Sequence, residues 1–564
     1  MRARALPLAV VAALFTAACT GSPEDGAGTE EQVAQVATTA PGERLTLVAD
    51  DDPVAMAASA SRTFFEEAGV VVLAAEGDRA GTLLGASAAV ALGVPLLLGA
   101  DGSGVDEPVR GELERLGTTT VLAVGEAAPA PASSSSSASP AEEDPEVIGV
   151  PADPAALAAA LDREFAEADP VADDGAVAAV AALDPADPAA LRPEGAPGGS
   201  AEEDDEGGTD GSLPEIEGAE PIAGTLVLTT GTPDALAATA TARAAGARVL
   251  VTGGPTDPRA SGELIGALAE DDAEHVVALG AGFAQEQGLD WKLATAATGT
   301  ELPGGGQLLF PGRMMVALYG HQGTAALGIL GEQPVDAAIQ RTRDHAAPYE
   351  PLVDVPVVPA FEIIVTVASE FAGPDGNYST ESAVEDVRPW VEAAGGAGLY
   401  VVLDLQPGRT DFVTQAELYR PLLELPYVGL ALDPEWRLGP NEVHLTQIGS
   451  VGIEEVNRVV NWLADLTREN RLPQKLLVLH QFRIDMLPGL DQLDMSRDEL
   501  AIMIHADGQG PQGSKQATWR ALHDNAPEGL FWGWKNFYDE DSPMLNPQQT
   551  IEQVEPDPDL VTYQ

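Results

Sequence analysis

The chain has 564 residues and a formal charge of −60. Its length exceeds what one hydrophobic core holds together, so two or three domains are expected. Acidity runs through both halves and argues against a nucleic-acid partner, because phosphate binding needs a basic face. With Cys19 as the single cysteine, no intramolecular disulfide can form.

Arg2 and Arg4 precede an apolar segment over residues 5–15 and a small-residue stretch, Thr16-Ala-Ala-Cys19. That order of positive, apolar and small residues reads as an export signal. It resembles a bacterial lipoprotein signal over residues 1–19, which implies lipidation of Cys19 and attachment to the outer face of the cell membrane. No later segment reaches the roughly 20 apolar residues of a membrane span. Residues 20–43 are polar and read as a flexible tether.

From 44 to 128 the pattern is strand, helix, strand, helix, strand. The strands are Val70-Val-Val-Leu-Ala-Ala75, Val94-Pro-Leu-Leu-Leu-Gly99 and Thr119-Thr-Val-Leu-Ala-Val-Gly125, with helices over 81–92 and 105–116. The same unit recurs over 223–285, in Gly224-Thr-Leu-Val-Leu-Thr-Thr230, a helix over 234–245, Arg248-Val-Leu-Val-Thr-Gly253 and Glu274-His-Val-Val-Ala-Leu-Gly280. Alternation of this kind predicts parallel sheets covered by helices. The runs Val71-Val-Leu-Ala-Ala, Ala91-Leu-Gly-Val-Pro-Leu-Leu-Leu and Leu113-Glu-Arg-Leu-Gly, together with Asp234-Ala-Leu236, resemble the cell wall-binding repeat type 2 family. The resemblance implies Rossmann-like repeats and a partner among the polysaccharides or peptidoglycan of the wall. Between the copies, residues 129–222 read as a linker with two low-complexity blocks, 127–144 and 193–220, around an Ala-rich helical stretch.

Residues 305–564 differ sharply, holding every tyrosine and all but one tryptophan. Apolar runs recur at 314–319, 361–367, 399–403, 428–432, 476–479, 500–504 and 530–534, with helical stretches between, the clearest over 453–466. These seven runs, with 307–310 as a candidate eighth, predict a (β/α)8 TIM-like barrel. An open doubly wound sheet is the alternative. The fold class is therefore α/β, with N-terminal Rossmann-like parallel-sheet repeats and a C-terminal barrel.

Polar residues follow the strand ends: Tyr319-Gly-His321, Asp404-Leu-Gln406, Asp433-Pro-Glu435-Trp436-Arg437, His480-Gln481, His505-Ala-Asp507 and Lys535-Asn536. In a barrel these positions line the active face. Asp433-x-Glu435 resembles the strand-end Asp-x-Glu motif of barrel muramidases and chitinase-like glycosidases. That resemblance implies Glu435 as general acid, Asp433 tuning it or orienting a substrate N-acetyl group, and Asp404 or Asp507 as second carboxylate. His321, Gln406, Trp436, Arg437, His480, Gln481, Lys535 and Asn536 are candidate substrate-binding residues, with Tyr319, Trp532 and Trp534 as further sugar-stacking candidates. No cofactor is implied and no residue is assigned as a metal ligand. A non-catalytic glycan-binding protein is one alternative; a metal-dependent hydrolase using His321, His480, His505, Asp433 and Asp507 is another.

Overall fold

Eight parallel strands close into a barrel in the computed structural model, which describes residues 33–99, 107–127, 145–196, 213–218, 220–271, 273–524 and 526–564. The strands are β1 (Met314–Gly320), β2 (Val357–Ala368), β3 (Tyr400–Leu405), β4 (Val428–Leu432), β5 (Lys475–His480), β6 (Leu500–Ala506), β7 (Phe531–Asn536) and β8 (Leu560–Tyr563). They neighbour one another in chain order, and β1 pairs with both β2 and β8, which closes the ring and removes the open-sheet alternative. Helices cross between most strands. Ile453–Glu469, between β4 and β5, buries Val456, Val459, Val460 and Leu463 on one stripe. Only short 3-10 turns join β5 to β6. The overhang of β2 pairs with an antiparallel strand, Ser379–Glu381.

The eighth strand is not residues 307–310. Leu560–Tyr563 fills that place, and Leu309 and Phe310 enter the barrel from below, packing with Met315, Tyr400, Leu476 and Leu560. Leu309 is held there by its backbone N–H, which donates to Gln474 Oε1 at 2.9 Å.

The N-terminal part holds two four-stranded parallel sheets. In the first, Leu96–Gly99, Val70–Ala75 and Thr120–Val124 lie side by side; in the second, Arg248–Val251, Thr225–Thr229 and His275–Leu279 do. Both therefore place the second strand, then the first, then the third. The expected boundaries are crossed: Val33–Thr38, within the expected tether 20–43, is a strand paired with Glu215–Glu217 and Phe65–Ala68, and the fourth strands of both sheets also come from outside their units. Leu45–Val48 joins the second sheet, although it lies at the start of the expected first unit, 44–128. Glu146–Val150 joins the first sheet from within the expected linker. Helices Pro154–Leu161 and Ala176–Ala181 of that linker bury Leu157, Val177 and Val180 in the core of the first sheet. Cys19 and most of both low-complexity blocks lie outside the described residues.

The sheets meet the barrel at its lower rim. Asp498, just before β6, accepts from Lys292 Nζ at 2.6 Å through its side chain and from Arg259 Nη1 at 3.1 Å through its carbonyl. Arg259 and Arg468 flank the Trp291 ring at 4.5 and 4.9 Å. The opposite, C-terminal face is left for the loops that follow the strands. Among the described residues no helix is long and apolar enough to cross a membrane.

Candidate active site

Strand alternation sorts the barrel's side chains into two shells. The outward parity packs against the helices, as with Leu318, Ile363, Leu403, Leu430, Leu479 and Ile504. The inward parity begins apolar and ends ionisable. It runs Ala360 then Glu362 on β2, Val402 then Asp404 on β3, Ala431 then Asp433 past β4, Val478 then His480 on β5, and Met503 then His505 on β6. Gly533 on β7 makes room for this layer, since a Cβ there would lie 2.3 Å from His505 Cδ2.

A buried hydrogen-bonded network forms the floor. His480 Nε2 lies 2.8 Å from Glu362 Oε1, and His480 Nδ1 lies 3.1 Å from Asp507 Oδ2. Burial works against a charge on His480, but Glu362 and Asp507 on either side outweigh it and raise its pKa well above the ordinary value. Burial likewise opposes ionisation of Glu362, but His480 outweighs it and holds the carboxyl at about 2. Asp507 follows the same pattern and is lowered by His480. An imidazolium thus sits between two carboxylates. His505 is pushed by burial to about 3 and stays neutral. Tyr319 Oη donates to Asp404 Oδ2 at 2.8 Å, and Thr562 Oγ1 donates to Glu362 Oε2 at 3.3 Å.

Above the floor is a cavity of about 430 Å³ lined by Tyr319, Gln406, Asp433, Glu435, Trp436, Phe482, Asp507, Lys535 and Phe537, among others. Asp433 follows β4 and caps the short turn Pro434–Trp436 by accepting from the Glu435 N–H at 3.2 Å. That turn replaces the extended backbone expected from sequence. Burial, then the Asp404 charge, holds Asp433 well above the usual carboxyl range. Burial lifts Glu435 to about 7, and the Asp507 charge adds to the rise. Burial also raises Asp404 to about 6, opposed by His480 and aided by Glu362. The Lys535 ammonium lies 3.5 Å from the Tyr319 ring centroid. The site therefore holds protonated carboxyls above an ionised Asp507, which is the pairing of acid and carboxylate that glycoside hydrolysis uses.

The other candidates fall outside the cavity lining, for reasons of parity and pairing. Gln481 and Asn536 sit on the outward parity; Gln481 Nε2 donates to Arg483 O at 3.1 Å, and Asn536 Oδ1 accepts from Trp534 Nε1 at 2.9 Å. Arg437 turns to the helix after β4 and makes a two-pronged ion pair with Glu455, both contacts at 3.1 Å. His321 Nδ1 accepts from the Gly323 N–H of its own loop at 2.9 Å, and its Nε2 lies 3.3 Å from Ser382 Oγ in the segment after β2. Trp532 stacks on His523 and Trp534 packs against Trp519, so both belong to the core and not to a sugar site. His480 and Asp404 lie beneath the cavity.

Glu362 was not among the candidates, although it anchors the floor. Its signal is a lone carboxylate inside the apolar run Phe361-Glu-Ile-Ile-Val. Phe482 and Phe537 were also missed; each lies two residues past an inward strand-end residue, His480 and Lys535.

Glu362, His480 and His505 carry ligand atoms within 4.8 Å of one another and could bracket a cation. The ligand set differs from the sequence expectation: Glu362 enters it, and His321, Asp433 and Asp507 are not part of it. The Lys535 charge acts on both Glu362 and His505, and His480 is already bonded on both nitrogens. This balance of charge favours protons over a metal at the floor.

Neither a protein-family model nor a curated protein matches the chain. Two Clostridium difficile structures show a weak likeness. Cwp6 aligns at 12% identity over 65% of this chain and 63% of its own, with a TM-score of 0.31. Cwp8 aligns at 13% over 46% and 52%, with a TM-score of 0.29. The chain thus spans about half of Cwp8 and under two thirds of Cwp6, and similarity this low carries nothing about activity.

Proposed function

We propose that the barrel cleaves a glycosidic bond in a cell-envelope glycan such as peptidoglycan, with Glu435 as general acid. The observation that carries this is the environment of Glu435: a half-buried carboxyl on the cavity wall, protonated near neutral pH, with ionised Asp507 acting on it. Glu435 would protonate the leaving oxygen. Asp507 lines the cavity and Asp404 does not, so Asp507 serves as the second carboxylate. Asp433, kept neutral, has a proton to donate to an N-acetyl oxygen. The resemblance of residues 1–19 to a lipoprotein signal supports an exported protein anchored through Cys19. The shared strand order of the two N-terminal sheets supports their reading as wall-binding repeats.

The test is release of reducing ends from purified peptidoglycan by residues 20–564. Glu435→Gln is expected to lower the rate by about 10²–10⁴-fold. A native chain that releases nothing, or a Gln variant as active as the native, sinks the hydrolase reading. Saccharide binding without release would make the barrel a binding protein instead.

A further inference from the structure

The mouth of the cavity continues into a ridge made by two loops. One follows β2 and holds Phe371 and Tyr378; the other follows β4 and holds His444 and Leu445. Trp436, in the cavity wall, meets the His444 ring edge-on at 5.5 Å. His444 in turn meets Tyr378 at 6.3 Å, and the Arg409 guanidinium covers the Tyr378 ring at 4.4 Å. Hydrogen bonds fix the row: His444 Nε2 lies 2.9 Å from Tyr378 O, and Arg409 Nη2 donates to Glu442 O at 2.8 Å. The row is thus a rigid strip of ring faces and edges leading out from the cavity.

Leu445, beside His444 on this strip, is 89% exposed and has φ +63°. The left-handed region is disfavoured for a leucine, and water around its side chain is a second cost. Glycine would relieve both. Tyr378 has φ +65°, so two of the four described non-glycine residues with positive φ, Asp162, Tyr378, Leu445 and Arg471, contact or adjoin His444. Backbone held in such conformations clusters at ligand clamps and active sites. Phe371, in the partner loop, is 71% exposed.

We propose that this ridge is a second saccharide subsite, carrying the sugar next along the chain from the one in the cavity. The inference rests on the glycan reading above and deepens it: the substrate is a polymer bound across several units. A pyranose has an apolar C–H face that packs on rings and on aliphatic side chains, while its hydroxyls pair with polar groups such as the Arg409 guanidinium and the Nδ1 of His444. The occupant is carbohydrate because the strip is continuous with Trp436, which lines the cavity.

The test is calorimetric titration of residues 20–564 with peptidoglycan fragments of one to four disaccharide units. In the native chain, affinity rises with length. Leu445→Gly is expected to weaken the longer fragments by about tenfold, to leave the single disaccharide unchanged, and to raise Tm by releasing the left-handed strain. A merely structural leucine would move stability without moving the length dependence. Fragments that bind equally at every length, or a Gly variant with native affinity for the longest, would overturn the ridge and leave the hydrolase reading standing. If no fragment binds, both fall.

Discussion

Along β3 the inward side chains run Tyr400, Val402, Asp404, and along β6 they run Ala501, Met503, His505. The lower members join Leu309 and Phe310 in a buried apolar plug. The upper members form a network of acids and imidazoles in which Asp404 Oδ1, Asp507 Oδ1 and His505 Nε2 have no hydrogen-bond partner among the described residues. One set of strands therefore supports two environments a few residues apart. Apolar burial is favourable by itself, whereas buried ionisable groups cost desolvation that their mutual pairing only partly offsets. The lower half accounts for stability. The upper half has no such justification, which is consistent with the role proposed for it on a ligand.

Substitutions separate the two. Phe310→Ala opens a cavity in the plug and is expected to cost about 3–5 kcal/mol in urea unfolding, with the turnover per folded molecule unchanged. A change in turnover without a change in stability would reverse the assignment. Glu362→Gln leaves the His480 imidazolium with Asp507 as its one remaining ion-pair partner within 3.5 Å. It should cost about 3 kcal/mol and abolish activity. The double variant Glu362→Leu with His480→Leu extends the plug upward; it should recover most of that stability and none of the activity. A double variant as unstable as the single one would show that the network stabilises the fold in its own right.

A pH profile probes the cavity wall more gently. The pKa of Glu435 is raised in the fold, from 4.5 to about 7. Its protonated form therefore contributes stability that is fully present below pH 4.5 and is lost as pH rises through 7. Activity that depends on the same proton should decline above about pH 7, and Glu435→Gln should flatten the slope of stability against pH between those values. A native rate still constant well above pH 7 would exclude Glu435 as the acid.

Much of this division was legible in the sequence, because period-2 alternation and apolar runs mark strands independently of what they enclose. Seven strands and the place of the two acids after β4 could be read that way, though not the turn that carries them. The eighth could not: Leu560-Val-Thr-Tyr563 is short and half polar, and Leu308-Leu-Phe310 competes with a stronger apolar signal that belongs to the plug. Strand ends alone also misassigned faces. Residues 480 and 481, or 535 and 536, are adjacent in sequence and lie on opposite sides of the sheet, so polarity at a strand end names a level in the barrel without naming a side. Glu362 was hidden for the converse reason, lying early in a strand of twelve residues whose end is farther on.

The pair Lys535 and Asn536 gives the finest version of the comparison. Lys535 points inward over Tyr319; Asn536 points outward and accepts from the Trp534 indole N–H. Asn536→Ala leaves that buried donor unpaired and should cost about 1–2 kcal/mol of stability with kcat and KM unchanged. Lys535→Met keeps the aliphatic stem against the ring and removes the ammonium from the cavity. It should leave Tm within a few degrees of native while lowering kcat/KM, because the charge balancing Glu362 and Asp507 is gone. Opposite outcomes, activity lost at 536 and only stability lost at 535, would mean that the inward shell stops at His505 and that β7 contributes nothing to the site.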